Sequence, residues 1–325
     1  MTAVEPTLPA GADLDGRRPP IGAWAYFEGN VVPFGSAQVS LATHALNYGT
    51  SIFEGIRAYR QADGSLALLF GHEHFARLLR NARLLRASVP ESAEDLVEIT
   101  RELLRRNEHD GDVYIRPILY KAAHSIRVQL TDLDDRVAVF TMALGDYLPT
   151  GGIRLTVSSW QRVADNAIPA RGKIAGSYVN AAQATEDAHA GGYDDAILLT
   201  SDGHVAEASA ANVFVVFGRE VATPPLVDDV LPGITRSAVL EIARDAGYTV
   251  VERRIDRSEL YLADEVFLSG TGVQVAPVAS IDDRPIGDPS FPVSLDIQAR
   301  YFDAVRGTDP RYAHWLTPIS QESHP

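Results

Sequence analysis

Apolar and polar residues alternate along "AWAYFEGNVVPFG" and the run breaks at Gly29-Asn30, which predicts a β-hairpin with one inward face per strand. Further on the period lengthens. In "HEHFARLLRNARLL", Phe75, Leu78, Leu79, Ala82 and Leu85 recur at helical spacing, so one helix face is buried and the arginines lie mostly on the other. A second helix is predicted near residues 93–106, followed by the strands "DVYIRPILY" and "RVAVFTMAL". The stretch "LGDYLPTGG" has the Pro and Gly punctuation of a linker. Beyond it, strands such as "IRLTVSSW", "DDAILLT" and "NVFVVFG" mix with helices near residues 178–189 and 235–246. Gly191-Gly192 and Gly247 stand where helices would end, and Ser201-Asp202-Gly203 where a hairpin would turn. Hairpins interspersed with helices, in place of a regular βαβ series, predict an α+β chain of two domains. The expected division is a disordered lead over 1–20, a small α+β domain over 21–144, a linker over 145–152 and a large α+β domain over 153–325.

Composition narrows the function more than the fold. With 46% apolar residues the chain can bury a full core, and a formal net charge of -14 argues against a nucleic-acid partner. The chain has no cysteine, which excludes disulfides, thiolate metal sites and cysteine nucleophiles. The first twenty residues lack an apolar signal region, and no apolar run reaches the roughly 18 residues of a membrane span. The expectation is a soluble, cytoplasmic protein acting on small molecules.

Several motifs fail on spacing. His72 and His74 in "HEHF" are two apart on a predicted helix and face apart, so a solvated helix start is favoured over a metal pair, and no metal is expected. Gly270-Thr271-Gly272 resembles the start of a dinucleotide loop, but Val275 occupies the third-glycine position and no helical pattern follows. What remains is a lysine. The chain has only Lys121 and Lys173, and a primary amine that must form an imine can only be lysine.

If Lys173, in "RGKIAGSY", holds a pyridoxal cofactor, four further parts are needed. Gly233, Ile234 and Thr235 precede a helical stripe in "LPGITRSAVLEIARDAG", so they offer either an anion site or a simple N-cap. Glu207 lies between two strand-like runs and is either a partner for the pyridine nitrogen or a solvated turn residue. Tyr178, five residues after Lys173, is either a donor to the ring hydroxyl or a core tyrosine. Tyr114 and Arg116 in "VYIRP" share a strand face, and an inward Arg is expensive without an anion to pair with.

These segments, together with "HALNYGTSIFEGIRAY", "SSWQRVADNAIPARGKIAGSYVNA", "DGHVAEASAANVF" and "LYLADEVFLSGTGVQVAPV", resemble in order the branched-chain amino-acid aminotransferases over residues 22–317. The resemblance implies the two-domain fold-type IV architecture, similar to D-amino-acid aminotransferases, with pyridoxal 5'-phosphate as cofactor. It implies that Lys173 is the catalytic Schiff-base lysine. Arg77, Tyr178, Glu207, Leu231, Gly233, Ile234, Thr235 and Thr271 would hold the cofactor. Without the resemblance, Arg77 reads equally well as half of a surface pair with Glu73. Thr271, Gly272 and Tyr114 would receive the α-carboxylate, Arg116 the second carboxylate of glutamate, and Phe53, Tyr48 and Tyr147 the aliphatic side chain. The implied reaction moves the amino group of L-leucine, L-isoleucine or L-valine to 2-oxoglutarate by a ping-pong route, in a homodimer or higher homo-oligomer. D-amino-acid or (R)-amine transamination is the alternative on the same fold. Two positions depart from the pattern. Ala210 stands where glycine often lines the pocket, and Arg127 replaces a glycine in a partner-facing loop, either as a solvated residue or as an extra carboxylate contact with Lys121 or His124.

Overall fold

A computed structural model describes residues 21–144 and 152–319. The expected lead and all of the expected linker except Gly152 lie outside the described residues. Short strands, some alternating and some buried on both faces, give two sheets. The first has eight strands in the order Leu316–Ile319, Leu66–Leu69, Ile56–Arg60, Val113–Lys121, Asp135–Ala143, Trp24–Phe27 and Asn30–Pro33, with Ser51–Phe53 also paired to Val113–Lys121. The hairpin turns at Glu28-Gly29, both at positive φ, one residue earlier than the sequence pattern suggests. Helices Gly71–Ala82 and Ala93–Asn107 cover this sheet with Phe75, Leu78, Leu96 and Leu103, all fully buried. A capping box of Ser92 and Asp95 starts the second helix, worth about 1 kcal/mol.

The second sheet has nine strands. Its main path runs Val205–Ala208, Asp195–Leu199, Ile153–Gln161, Gln274–Ile281, Glu265–Gly270, Asn212–Phe217, Glu220–Thr223 and Thr249–Glu252. A pairing of Glu207 with Asn212 brings the first of these back to the sixth, so six strands close on themselves. Helix Tyr178–Ala190 packs on Ile153–Gln161 and Asp195–Leu199, while Ile234–Asp245 and Pro292–Val305 pack together against the Phe214 and Phe267 side. The residues expected to form one large unit over 153–325 do not all stay with this sheet. Leu316–Ile319 returns to the edge of the first sheet and pairs with Leu66–Leu69, burying Ile319 in the first core. Among the described residues no helix is long and apolar enough to cross a membrane, and no cluster of His, Asp and Glu could hold a metal ion.

One break in the first sheet shapes the site. Phe53 pairs with Ile118 and Ile56 with Ile115, so Glu54 and Gly55 fall opposite Pro117 and Arg116. Pro117 has no N–H to give to that neighbour, and its carbonyl accepts the Glu54 N–H at 3.0 Å.

Candidate active site

Lys173 lies in the irregular chain between Ile153–Gln161 and helix Tyr178–Ala190, and the first sheet holds that chain in place. The Phe53 N–H donates to the Lys173 carbonyl at 3.1 Å, and Ile52 and Ile174 form a β-bridge. Gly49, at φ +65, lies so close to Gly176 that a Cβ on it would sit 2.7 Å from the Gly176 Cα. A side chain there would push the lysine segment away. The ammonium of Lys173 donates to the Tyr178 hydroxyl at 2.8 Å, with the Phe53 ring centroid 5.1 Å from Nζ. Tyr178 is thus beside Lys173.

Glu207 is buried in the same recess and is not a solvated turn residue. Its Oε1 meets Arg162 Nη2 at 2.7 Å, and its Oε2 accepts from the Leu231 N–H and the Asn212 amide. Burial pushes the carboxyl up, against the opposing pull of Arg162, the Leu231 N–H and Lys173. Sequence reasoning missed Arg162, although it sits in the quoted "SSWQRVADN". A buried glutamate between two strands calls for a cation, but nothing in the sequence says which arginine supplies it.

An anion recess opens beside this carboxylate. Gly233 caps the helix Ile234–Asp245, whose first N–H groups have no partner within the helix. A Cβ on Gly233 would come within 2.1 Å of Asn212 Oδ1, so a side chain there would displace the Asn212 amide that bonds Glu207. Thr235 is buried at the recess, and the Ser269 hydroxyl there is buried with no hydrogen-bond partner. Arg77 also lines it, but as a buried residue whose guanidinium grips Glu54 through Nε and Nη2, each at 2.7 Å, rather than as a surface partner of Glu73. Its Nη1 donates to the Pro232 carbonyl at 2.6 Å. Of the two histidines expected at a solvated helix start, only His72 is exposed; His74 is buried and bonds Glu54 at 2.9 Å. Glu54 and His74 had no sequence signal of their own, since their partners are brought together only by the sheet break.

A cavity of about 540 Å³ adjoins the recess, lined by Phe53, Gly55, Tyr114, Arg116, Lys173, Tyr178, Ala210, Thr271 and Gly272 among others. Tyr114 and Arg116 share the cavity face of their strand, as their spacing predicts, and Arg116 donates to the Tyr114 hydroxyl at 2.7 Å while lying 4.7 Å from the Phe53 ring centroid. The buried Arg57 takes the carbonyls of Thr271 and Gly272 at 2.9 and 3.2 Å. Leu231, Ile234 and Thr271 also border the recess. Tyr48 does not join them: it is 40% exposed on its short helix, with its hydroxyl donating to the Ile126 carbonyl. Tyr147 lies outside the described residues. Lys121 is no companion for Arg127, because it is buried against Asp135 at 3.0 Å while Arg127 is exposed.

The comparisons agree on one family. Residues 51–281 match the amino-transferase class IV family model. A probable branched-chain-amino-acid aminotransferase of Aquifex aeolicus is 48% identical over 300 residues, covering 91% of this chain and 96% of that protein. The branched-chain aminotransferase of Thermoproteus uzoniensis, solved with norvaline, superposes with a TM-score of 0.89 at 37% identity, covering 92% of this chain and all of that one (100%). The branched-chain amino acid aminotransferase of Thermobaculum terrenum, solved in its PLP (holo) form, gives a TM-score of 0.87 at 32% identity, covering 93% and 99% of the two chains.

Proposed function

Because this chain belongs to the class IV amino-transferases, and among them to the branched-chain-amino-acid aminotransferases, we propose that it uses pyridoxal 5'-phosphate to move the amino group of L-leucine, L-isoleucine or L-valine to 2-oxoglutarate in a ping-pong cycle. The observation that carries this reading is the convergence of Lys173, Glu207 and the helix N-terminus at Gly233 on one recess. The residues fit the cofactor. A phosphate dianion suits the free N–H groups of the helix, Thr235, the unpartnered Ser269 hydroxyl and Arg77. When bound, the cofactor supplies an electron sink for the negative charge that develops at the substrate Cα.

The chain's own residues do the rest. Lys173 would hold the cofactor aldehyde, and its Nζ would take the proton from the substrate Cα. Tyr178 keeps Nζ placed and donates to the ring hydroxyl. Glu207 holds a proton at the ring nitrogen, and its burial favours sharing that proton. The N–H groups of the Thr271-Gly272 turn and the Tyr114 hydroxyl receive the α-carboxylate. Leu231, at the border of the recess, would give the ring an apolar contact. Arg116 lies against Phe53 and beside Tyr114, so it can meet a second carboxylate without spoiling the apolar wall needed for leucine.

The reading also includes a homodimer. Leu41 and Val128 are each 87% exposed and Ile126 79%, and with Tyr48 they form an apolar surface in the region where the loop 124–129 would complete a second copy's pocket.

The test is a half-reaction spectrum of the purified protein with L-leucine, D-alanine or (R)-1-phenylethylamine added separately. Loss of the cofactor's long-wavelength band with L-leucine alone, absent in Lys173→Ala, is expected. A response confined to D-alanine or to the amine overturns the substrate assignment and leaves the cofactor chemistry in place.

A further inference from the structure

The cluster behind the phosphate recess is built more tightly than a simple cation would require. Glu54 is fully buried and His74 and Arg77 nearly so, with Arg77 reaching the recess. The sheet break opposite Pro117 sets the Glu54 backbone, and helix Gly71–Ala82 delivers His74 and Arg77 three residues apart onto it. We propose that Glu54 is a positioning residue for the cofactor phosphate: it aims the Arg77 guanidinium at the recess and balances its charge, while His74 holds the carboxylate still. This inference rests on the pyridoxal phosphate reading above.

The hydrogen bonds support that assignment. Arg77 carries five N–H donors. Two of them are spent on Glu54 and a third on the Pro232 carbonyl, immediately before Gly233, leaving one N–H on each of Nη1 and Nη2 at the recess. Burial pushes the Glu54 carboxyl up, but Arg77 and His74 outweigh it and hold it at about 2, so it is ionised and can only accept. Burial keeps His74 neutral, and its Nδ1–H therefore donates to Glu54 Oε2. A long arginine side chain has many rotamers, and a planar two-point grip removes them before any anion arrives. The pair brings no net charge of its own. The recess thus greets a phosphate with aimed donors rather than with an excess of positive charge.

The experiment resolves the cofactor from the holoenzyme and titrates back either pyridoxal 5'-phosphate or pyridoxal, which lacks the phosphate, following the absorbance of the bound form. Glu54→Gln is expected to reduce the preference for the phosphorylated ligand by about tenfold to hundredfold, the effect of losing aligned bonds to a charged group, with pyridoxal binding unchanged. In an Arg77→Met background the same substitution is expected to change the preference no further. An unchanged or increased preference, or equal weakening of both ligands, overturns the inference. His74→Phe removes the restraint without baring a charge, and a two- to tenfold loss of preference, on the order of one neutral hydrogen bond, supports the inference even if Glu54→Gln does not fold. An unchanged preference in His74→Phe overturns it. A native protein with no preference for the phosphorylated ligand overturns the cofactor reading itself, a result seen before any variant is compared.

Discussion

Arg162→Met removes the only full charge that directly contacts Glu207 among the described residues. At a contact of 2.7 Å the charge centres lie about 4 Å apart, which in a partly polarisable interior corresponds to about 4 kcal/mol favouring the ionised carboxylate. Burial already raises the Glu207 carboxyl above its ordinary 4.5, and loss of Arg162 raises it further, so the variant can shed part of the buried charge by taking up a proton. That escape, together with the remaining Leu231 and Asn212 bonds, limits the loss to about 2 to 4 kcal/mol, below the cost of a bare buried charge. For a chain of 325 residues this lowers the melting temperature by roughly 3 to 6 °C. The sign with pH follows. A carboxyl whose folded pKa lies above the unfolded one binds a proton on folding, so the variant matches the native protein best below about pH 4.5 and falls behind as pH rises toward the folded value. Melting curves of both proteins from pH 4 to 8 check this. A gap that stays constant over that range, or a variant more stable than the native protein at neutral pH, refutes the argument that Arg162 sets the charge of Glu207.

Gly55→Ala would place a methyl 2.3 Å from the Tyr114 hydroxyl and push that ring out of the cavity; KM for amino acids should rise about tenfold to hundredfold while the cofactor spectrum is unchanged, as steady-state kinetics and absorbance can show. Glu265 accepts from the N–H groups of Val293 and Ser294 and from the Ser294 hydroxyl, so Glu265→Ala should cost about 2 to 4 kcal/mol in denaturant unfolding with native kinetics retained. Lys121→Met leaves Asp135 buried without its cation and should cost about 3 to 5 kcal/mol, again without loss of activity; a large fall in activity in a folded variant would show that Lys121 reaches the site after all. The Glu54 carboxyl, held at about 2, contributes stability above its unfolded value near 4.5 that is lost as pH falls toward 2, and Glu54→Gln should flatten that part of an acid titration followed by circular dichroism.

The sequence by itself determined the elements and the local chemistry. Period and punctuation were enough for the helix through Phe75 and Leu78, the strand through Tyr114 and Arg116, and the helix N-terminus at Gly233, because each depends on residues within a few positions of one another. The scarcity of lysine singled out Lys173 for the same reason: identity and count are properties of the chain, not of its fold. Partnerships across the fold were another matter. That Arg77 belongs to Glu54 rather than to Glu73, that His74 is buried while His72 is wet, and that Arg162 faces Glu207 depend on contacts 20 or more residues apart in the chain. The return of the last strand to the first sheet, and the exposure of Tyr48 away from its own cavity, were settled in the same way. A buried charge must be paired, and that requirement is visible in a sequence; which of many arginines pairs with it is decided by the break at Pro117, the closure of strands at Glu207 and Asn212, and the packing of helices against them.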